Sequence, residues 1–153
     1  MTTDLALAAI KAWIESRVAT YPVLTGIPIL LRDTATEQPG DDDEAGEEDF
    51  DATFILLNDA SSAEHPVLRG VLTMEIEALL KTAAGGDLGK TDAQHAALNT
   101  ALYNILADTA SIAFCNTRNG FACWDIRGVA PVSESGDGMR TATFTFSVVG
   151  AAI

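Results

Sequence analysis

Strict alternation of apolar and polar side chains near the C-terminus constrains this chain more than any other feature. Ala142, Phe144, Phe146 and Val148 alternate with threonine and serine residues. A side-chain period of two is the period of a β-strand with one buried face. Such a strand needs paired neighbours and a second layer that covers its apolar side. The pattern therefore predicts a sheet with one face buried.

Four other segments predict strands that can pair with this one. They are residues 26–33, residues 52–59, residues 70–82 and the first arm of a hairpin over residues 121–150. Turn-forming residues place the hairpin turn near Glu134–Gly138. Pro28 favours an edge position for the first strand because proline cannot donate to a ladder. Residues 60–70 predict a turn.

Apolar residues at helical spacing predict two main helices, over about residues 3–20 and over residues 92–109. Thr91, with Gln94 three residues later, predicts a capping box at the start of the second helix. The order of elements is α-β-β-β-α-β-β. We therefore predict a single α+β domain over residues 1–153 with a mostly antiparallel sheet.

An acidic run over residues 37–51 dominates the net charge of −13. It holds nine of the 22 acidic residues and no basic one, which leaves 13 acids against nine bases elsewhere. Its composition predicts a flexible, solvated loop. An EF-hand frame from Asp41 fails because Ala52 occupies its twelfth position, so no metal is predicted. The charges of this acidic loop lie on Asp41, Asp42, Asp43, Glu44, Glu47, Glu48 and Asp49, among others.

The segment Gly89–Thr91 has the Gly-Lys-Thr sequence of a phosphate-binding loop. Three features oppose that interpretation. The first glycine of the strict motif is Ala84, the preceding strand alternates, and too few residues follow for further βα units. A turn and a helix cap explain the same residues. A small nucleotide-binding enzyme that uses residues 84–91 is one alternative function.

No catalytic constellation is apparent, so we predict no enzymatic activity and no cofactor. His65 and His95 have no nucleophile or carboxylate partner set by sequence. Cys115 and Cys123 have a spacing that fits no zinc or redox motif, and both are predicted to be reduced thiols. No apolar stretch is long enough to span a membrane. The basic residues are scattered, which disfavours nucleic-acid binding.

Charge is missing from two segments that we expect at the surface. No charged residue occurs between Asp92 and Asp108, or from Thr141 to the C-terminus. The cores of protein interfaces are depleted of charge, and exposed strand edges invite pairing with another chain. We therefore predict self-association. The predicted interface residues are His95, Asn99, Tyr103, Thr141, Thr143 and Thr145.

This layout resembles the tail-terminator and tail-completion proteins of long-tailed bacteriophages. The resemblance is closest over residues 52–149. It includes the strand VLTMEIEALL, the capped helix from Thr91 and the closing segment WDIRGVAPVSESGDGMRTATFTFSVVG. The last strand of that segment, from Arg140 to Val149, has the Arg-x-x-Thr-hydrophobic pattern of the family.

The resemblance implies a ring, usually a hexamer, that caps the tail tube protein and joins it to the head-side connector protein. It also implies a place in the virion tail after assembly in the host cytoplasm. DNA would pass through the ring without specific binding, because an acidic lumen repels phosphates. A cytosolic interaction module that grips a basic partner through the acidic loop is a further alternative.

Overall fold

A five-stranded sheet carries the three helices of the described residues on one of its faces. The computed structural model describes residues 3–32, 53–64, 69–83, 89–118, 121–136 and 139–152. The helices are α1 (Thr3–Arg17), α2 (Asp92–Ala107) and α3 (Ala110–Arg118), and a short 3₁₀ turn covers Pro22–Leu24. The strands are β1 (Ile29–Arg32), β2 (Phe54–Glu64), β3 (Leu72–Ala83), β4 (Phe121–Gly136) and β5 (Met139–Ala152).

The strand order is β1-β2-β3-β5-β4. β1 runs parallel to β2, and every other neighbouring pair is antiparallel. The predicted α+β class and the mostly antiparallel sheet are therefore confirmed. β1 lies at an edge of the sheet, as Pro28 predicted, and the Pro28 carbonyl accepts the N–H of Ile55 at 2.9 Å.

One cluster of buried residues joins the helices to the sheet. In β5, Ala142, Phe144, Phe146 and Val148 are buried, whereas the residues between them are only half-buried. These side chains meet α1 and α2 residues in the same cluster, which places both helices on this face. The apolar residues of the alternating pattern thus face the core, and the polar residues lie on the other face of the sheet.

A third helix corrects the predicted order. The sequence pattern runs a single helix to residue 109, whereas α2 ends at Ala107 and α3 follows from Ala110. An Asp108 carboxylate oxygen accepts the N–H of Ala110 at 2.9 Å, and the other oxygen lies 3.4 Å from an Arg17 nitrogen. Asp108 therefore ends one helix and starts the next, because a short acidic side chain competes for nearby backbone donors.

The predicted turn over residues 60–70 is also wrong in its first half. β2 continues to Glu64, after an irregularity between Asp59 and Ser61. Its polar residues have low strand propensity, but the facing part of β3 supplies their backbone partners. In the hairpin, Glu134 still pairs with Thr141, so both strands extend into the segment where the turn was predicted.

The face of the sheet that points away from the core has no helix on it among the described residues. We call it the outer face. One line of paired positions crosses this face from edge to edge, and four of its five members are apolar. This outer row consists of Leu30, Leu56, Leu79, Thr143 and Val132. Its two ends are exposed, by 46% at Leu30 and 57% at Val132.

Candidate functional site

The start of α2 shows what the Gly-Lys-Thr segment does. The Thr91 hydroxyl accepts the N–H of Gln94 at 3.2 Å, and the Gln94 side chain accepts the N–H of Thr91 at 2.8 Å. The predicted capping box is confirmed. β3, which precedes this segment, is antiparallel to both of its neighbours. A phosphate-binding loop instead follows a strand of a parallel sheet.

Backbone contacts hold Lys90 in place. Its N–H donates to the carbonyl of Ala83 at 2.8 Å, and its carbonyl accepts from Arg140 at 2.8 Å. Arg140 also pairs with Asp92 at 2.5 Å. These contacts join the start of α2 to β3 and β5 without using the Lys90 ammonium group.

A matched pair of variants distinguishes the two interpretations of this segment. Thr91→Ala is expected to lower the free energy of unfolding by about 1 kcal/mol, because it removes the cap. Lys90→Ala is expected to change it by less than about 0.5 kcal/mol, because the backbone contacts stay. Urea denaturation of both variants measures this. ATP binding by the wild-type protein that disappears in Lys90→Ala would overturn the turn-and-cap interpretation.

His95 lies one turn into α2 and faces the core. Its side chain is only 8% exposed, and its Nδ1 lies 2.8 Å from the Thr82 hydroxyl. Burial lowers the pKa of His95 below its ordinary value, and the nearby Arg140 charge lowers it further, while Asp92 acts in the opposite direction. His95 therefore joins α2 to β3 within one chain and contributes little to the exposed surface on which it was predicted.

The lowered pKa of His95 predicts a loss of stability in mild acid. The unfolded chain binds the proton at the ordinary pKa of 6.5, above that of the folded chain. The contribution of neutral His95 to folding stability is therefore fully present above pH 6.5. It decreases as the pH falls from there toward the lower pKa of His95 in the folded chain. We expect the stability difference between wild type and His95→Asn to shrink between about pH 7.5 and pH 5.5. Urea denaturation across this range measures it, and a constant difference would contradict the expectation.

The other predicted residues of α2 lie closer to solvent. Asn99 is half-buried, and its amide donates to the Ser133 hydroxyl of β4 at 3.2 Å. Tyr103, one turn further along, is 40% exposed. Residues four apart share a flank of a helix, so both lie on the side of α2 nearer to β4.

The predicted threonines of β5 lie on the outer face of the sheet. Thr141, Thr143 and Thr145 are half-buried and alternate with core residues. Thr143 pairs with Leu79 on one side and with Val132 on the other, so it is part of the outer row. The structure therefore divides the predicted interface into two surfaces. One lies on the helical layer around Tyr103, and the other lies on the opposite face of the sheet.

A shallow groove on the helical layer was not predicted from the sequence. Its volume is about 490 Å³, and no charged residue lines it. We call it the α2 groove. One wall is the 3₁₀ turn with Val23, which is 42% exposed, and the other is α2. The principal lining residues are Tyr21, Pro22, Val23, Ala96, Ala97 and Thr100. In the sequence only the missing charge of residues 93–107 indicated such a surface.

Two other sequence predictions concern residues that the structure does not describe. These are the acidic loop over residues 37–51 and His65.

Within the described ranges, no group of three or more histidine, cysteine or acidic residues could hold a metal ion. In the same part of the chain, no helix has both the length and the apolar character needed to cross a membrane. Cys115 is buried in the core.

Comparison with models of known protein families gives no match, and comparison with curated protein sequences gives none either. The resemblance to phage tail proteins therefore rests on the order of elements and on the residues quoted above.

Proposed function

We propose that this protein is a structural subunit that assembles into a ring, in the manner of a phage tail-terminator or tail-completion protein. The observation that carries the proposal is the uncharged exposed surface of α2. In a chain with a net charge of −13, no charged residue occurs from position 93 to position 107. Solvent-facing helices usually carry charge, whereas interface cores lose it. Because every copy of the chain is acidic, a surface that contacts another copy meets less charge repulsion when it is uncharged.

The two uncharged segments, in α2 and in β5, also lie on different sides of the molecule, and Glu77 and Glu134 flank the threonines of β5 on the outer face. Tyr103 lies on the helical layer, and Thr143 lies on the outer face of the sheet. A contact between two different surfaces is heterologous, and repeating it closes a ring when the rotation between copies is suitable. A two-fold dimer instead uses one surface twice. Two uncharged segments on different sides of the molecule therefore support a ring more than a dimer.

In this proposal the ring caps the tail tube protein and meets the head-side connector protein, and it belongs to the virion tail. The acidic excess of the chain fits a channel for DNA, because like charges keep phosphates from adhering. In this arrangement the uncharged segments form the contacts between copies, and the acidic residues elsewhere keep DNA from adhering. No observation favours the nucleotide-binding alternative, since the cap at Thr91 uses the hydroxyl that such a site needs.

Native mass measurement of the purified protein tests the proposal. We expect one closed oligomer, with six copies as the number implied by the resemblance, and ring-shaped particles by electron microscopy. Addition of isolated tail tubes should place such a ring at one tube end only. A wild-type protein that stays monomeric at micromolar concentration, with and without tail tubes, would overturn the proposal.

A further inference from the structure

We propose that the segment Gly128–Pro131 of β4 keeps the open edge of the sheet from accepting another strand. Any contact between copies of this chain then uses side-chain surfaces and does not extend the sheet through β4. The inference goes beyond the proposed function, because it concerns the edge of a single chain. It applies to a monomer and to a ring alike.

β4 is the edge of the sheet that most needs protection. It pairs with β5 on one side, and no described strand pairs with it on the other. With 16 residues it is the longest strand that the structure describes, whereas β1 at the opposite edge has four. A long open edge presents a row of unpaired backbone N–H and C=O groups on which another strand can form. This row is accessible, since every residue from Arg127 to Glu134 except Val129 is exposed.

The side chains of this edge do little to oppose pairing. No charged residue occurs from Gly128 to Ser133. Val132 is 57% exposed, more than any other large apolar residue among those the structure describes. Long, uncharged edge stretches with exposed apolar side chains are sites of aggregation in other proteins. A chain that stays soluble with such an edge needs a feature of the backbone that prevents strand addition.

A β-bulge is the first such feature. Arg127 pairs with Ser147 and Ala130 with Thr145, so Gly128 and Val129 together lie opposite a single residue of β5. Gly128 has a φ of 68°, a left-handed conformation that glycine adopts without steric cost. A bulge bends its strand and increases the local twist. The open side of β4 is therefore not straight at this point, and a partner strand cannot follow it in register.

Pro131 is the second feature. It pairs with Phe144 of β5 and is itself exposed. Proline has no backbone N–H, and within sheets it occurs on edge strands with its nitrogen on the solvent side. A strand that approached β4 would find no donor at this position and would meet the proline ring. The bulge and Pro131 together interrupt the middle of the exposed stretch 127–134.

Pro131→Thr tests the proposal, because it restores the missing N–H and adds a β-branched residue that favours strands. We expect the folded variant to form larger species than the wild type. These should appear at a roughly tenfold lower protein concentration, because each contact gains a backbone hydrogen bond. Sedimentation velocity measures the species, and thioflavin T fluorescence reports paired strands. In hydrogen exchange, residues 127–136 should gain protection with rising concentration in the variant and not in the wild type.

Three control variants accompany Pro131→Thr. Ser133→Thr adds the same branched side chain two positions away without adding a donor, so we expect wild-type behaviour. The double variant Pro131→Thr with Val132→Lys places a lysine on the edge, which opposes strand pairing, and it should return to the wild-type species. Pro131→Ala restores the donor alone and replaces Pro131→Thr if circular dichroism shows that the latter is unfolded.

A further pair of variants tests the bulge. Gly128→Val disfavours the positive φ that the bulge requires, whereas Gly128→Asn tolerates it. We expect Gly128→Val to associate at a lower protein concentration than Gly128→Asn. Circular dichroism must show that both are folded. Equal association of the two folded variants would overturn the role of the bulge.

The outcomes keep this inference apart from the proposed ring. A folded Pro131→Thr variant that forms the same species as the wild type at every concentration would overturn the edge protection. Association of the double variant as strong as that of Pro131→Thr would also overturn it, because the new contact would then lie elsewhere. So would rising protection of residues 127–136 in the wild type, whose edge would already accept a strand. A monomeric wild type overturns only the ring, and association of Pro131→Thr then still supports the edge protection.

Discussion

Replacing Trp13 with alanine is expected to lower the free energy of unfolding by about 3–5 kcal/mol. Trp13 is buried, and its indole N–H donates to the carbonyl of Ile105 at 2.9 Å. Its ring centroid lies 5.3 Å from that of Phe114, and the Arg17 guanidinium carbon also lies 5.3 Å from the Trp13 ring centroid. One side chain therefore joins α1, the end of α2 and the middle of α3. Its removal leaves a large cavity and removes one of the hydrogen bonds that the Ile105 carbonyl accepts, while the bond from the Asp108 N–H stays.

Two companion variants separate packing from hydrogen bonding. Trp13→Phe keeps an aromatic ring but loses the bond to Ile105, and we expect a loss of about 1–3 kcal/mol. Leu5→Ala, on the same helix, truncates a large apolar residue that is 49% exposed, and we expect a loss within about 0.5 kcal/mol. Urea denaturation measures all three. Equal losses for Trp13→Ala and Leu5→Ala would show that the junction is not part of the core.

Placing a charge in the uncharged part of α2 or of β5 is expected to give a folded monomer. Tyr103→Glu puts a carboxylate on the helical layer, and Thr143→Lys puts an ammonium group in the middle of the outer row. A charge that assembly buries without a partner opposes assembly by several kcal/mol. A penalty of about 3 kcal/mol weakens each contact roughly a hundredfold, and a closed ring repeats it at every contact. Sedimentation and native mass measurement report the result.

Ala8 provides a matched control for both variants. It is exposed on α1, and Ala8→Glu and Ala8→Lys add the same charges as the two test variants. We expect both controls to form the wild-type oligomer. Circular dichroism and urea denaturation must show that Tyr103→Glu and Thr143→Lys are folded. If these variants are folded and still assemble as the wild type does at micromolar concentration, the contact between copies lies elsewhere.

Local interactions explain why much of the fold was predictable. Thr91 and Gln94 satisfy each other's backbone groups within one turn, so the cap depends on residues that are adjacent in sequence. The alternation in β5 is likewise local, since one buried face imposes a period of two on any strand. The elements where the prediction failed depend on distant partners. β2 extends through a polar stretch to Glu64 only because β3 is present to pair with it.

The candidate site was less predictable for the same reason. The missing charge of α2 is visible in the sequence. His95 and Tyr103 could not be distinguished there, because their exposure depends on where the helix faces. Packing turns His95 toward Thr82 and leaves Tyr103 at the surface. The α2 groove also needs the 3₁₀ turn at Pro22–Leu24, which is distant in sequence and contacts α2 only in the folded chain.

The sequence by itself determined the α+β class, the helix cap at Thr91, the core face of β5 and the neutrality of α2. Each follows from periodicity, composition or a contact within a few residues. The tertiary structure alone decided the strand order, the third helix after Asp108, and the separation of the predicted interface residues onto opposite sides of the sheet. These depend on contacts between distant segments, and a one-dimensional pattern carries no information on which distant surfaces meet.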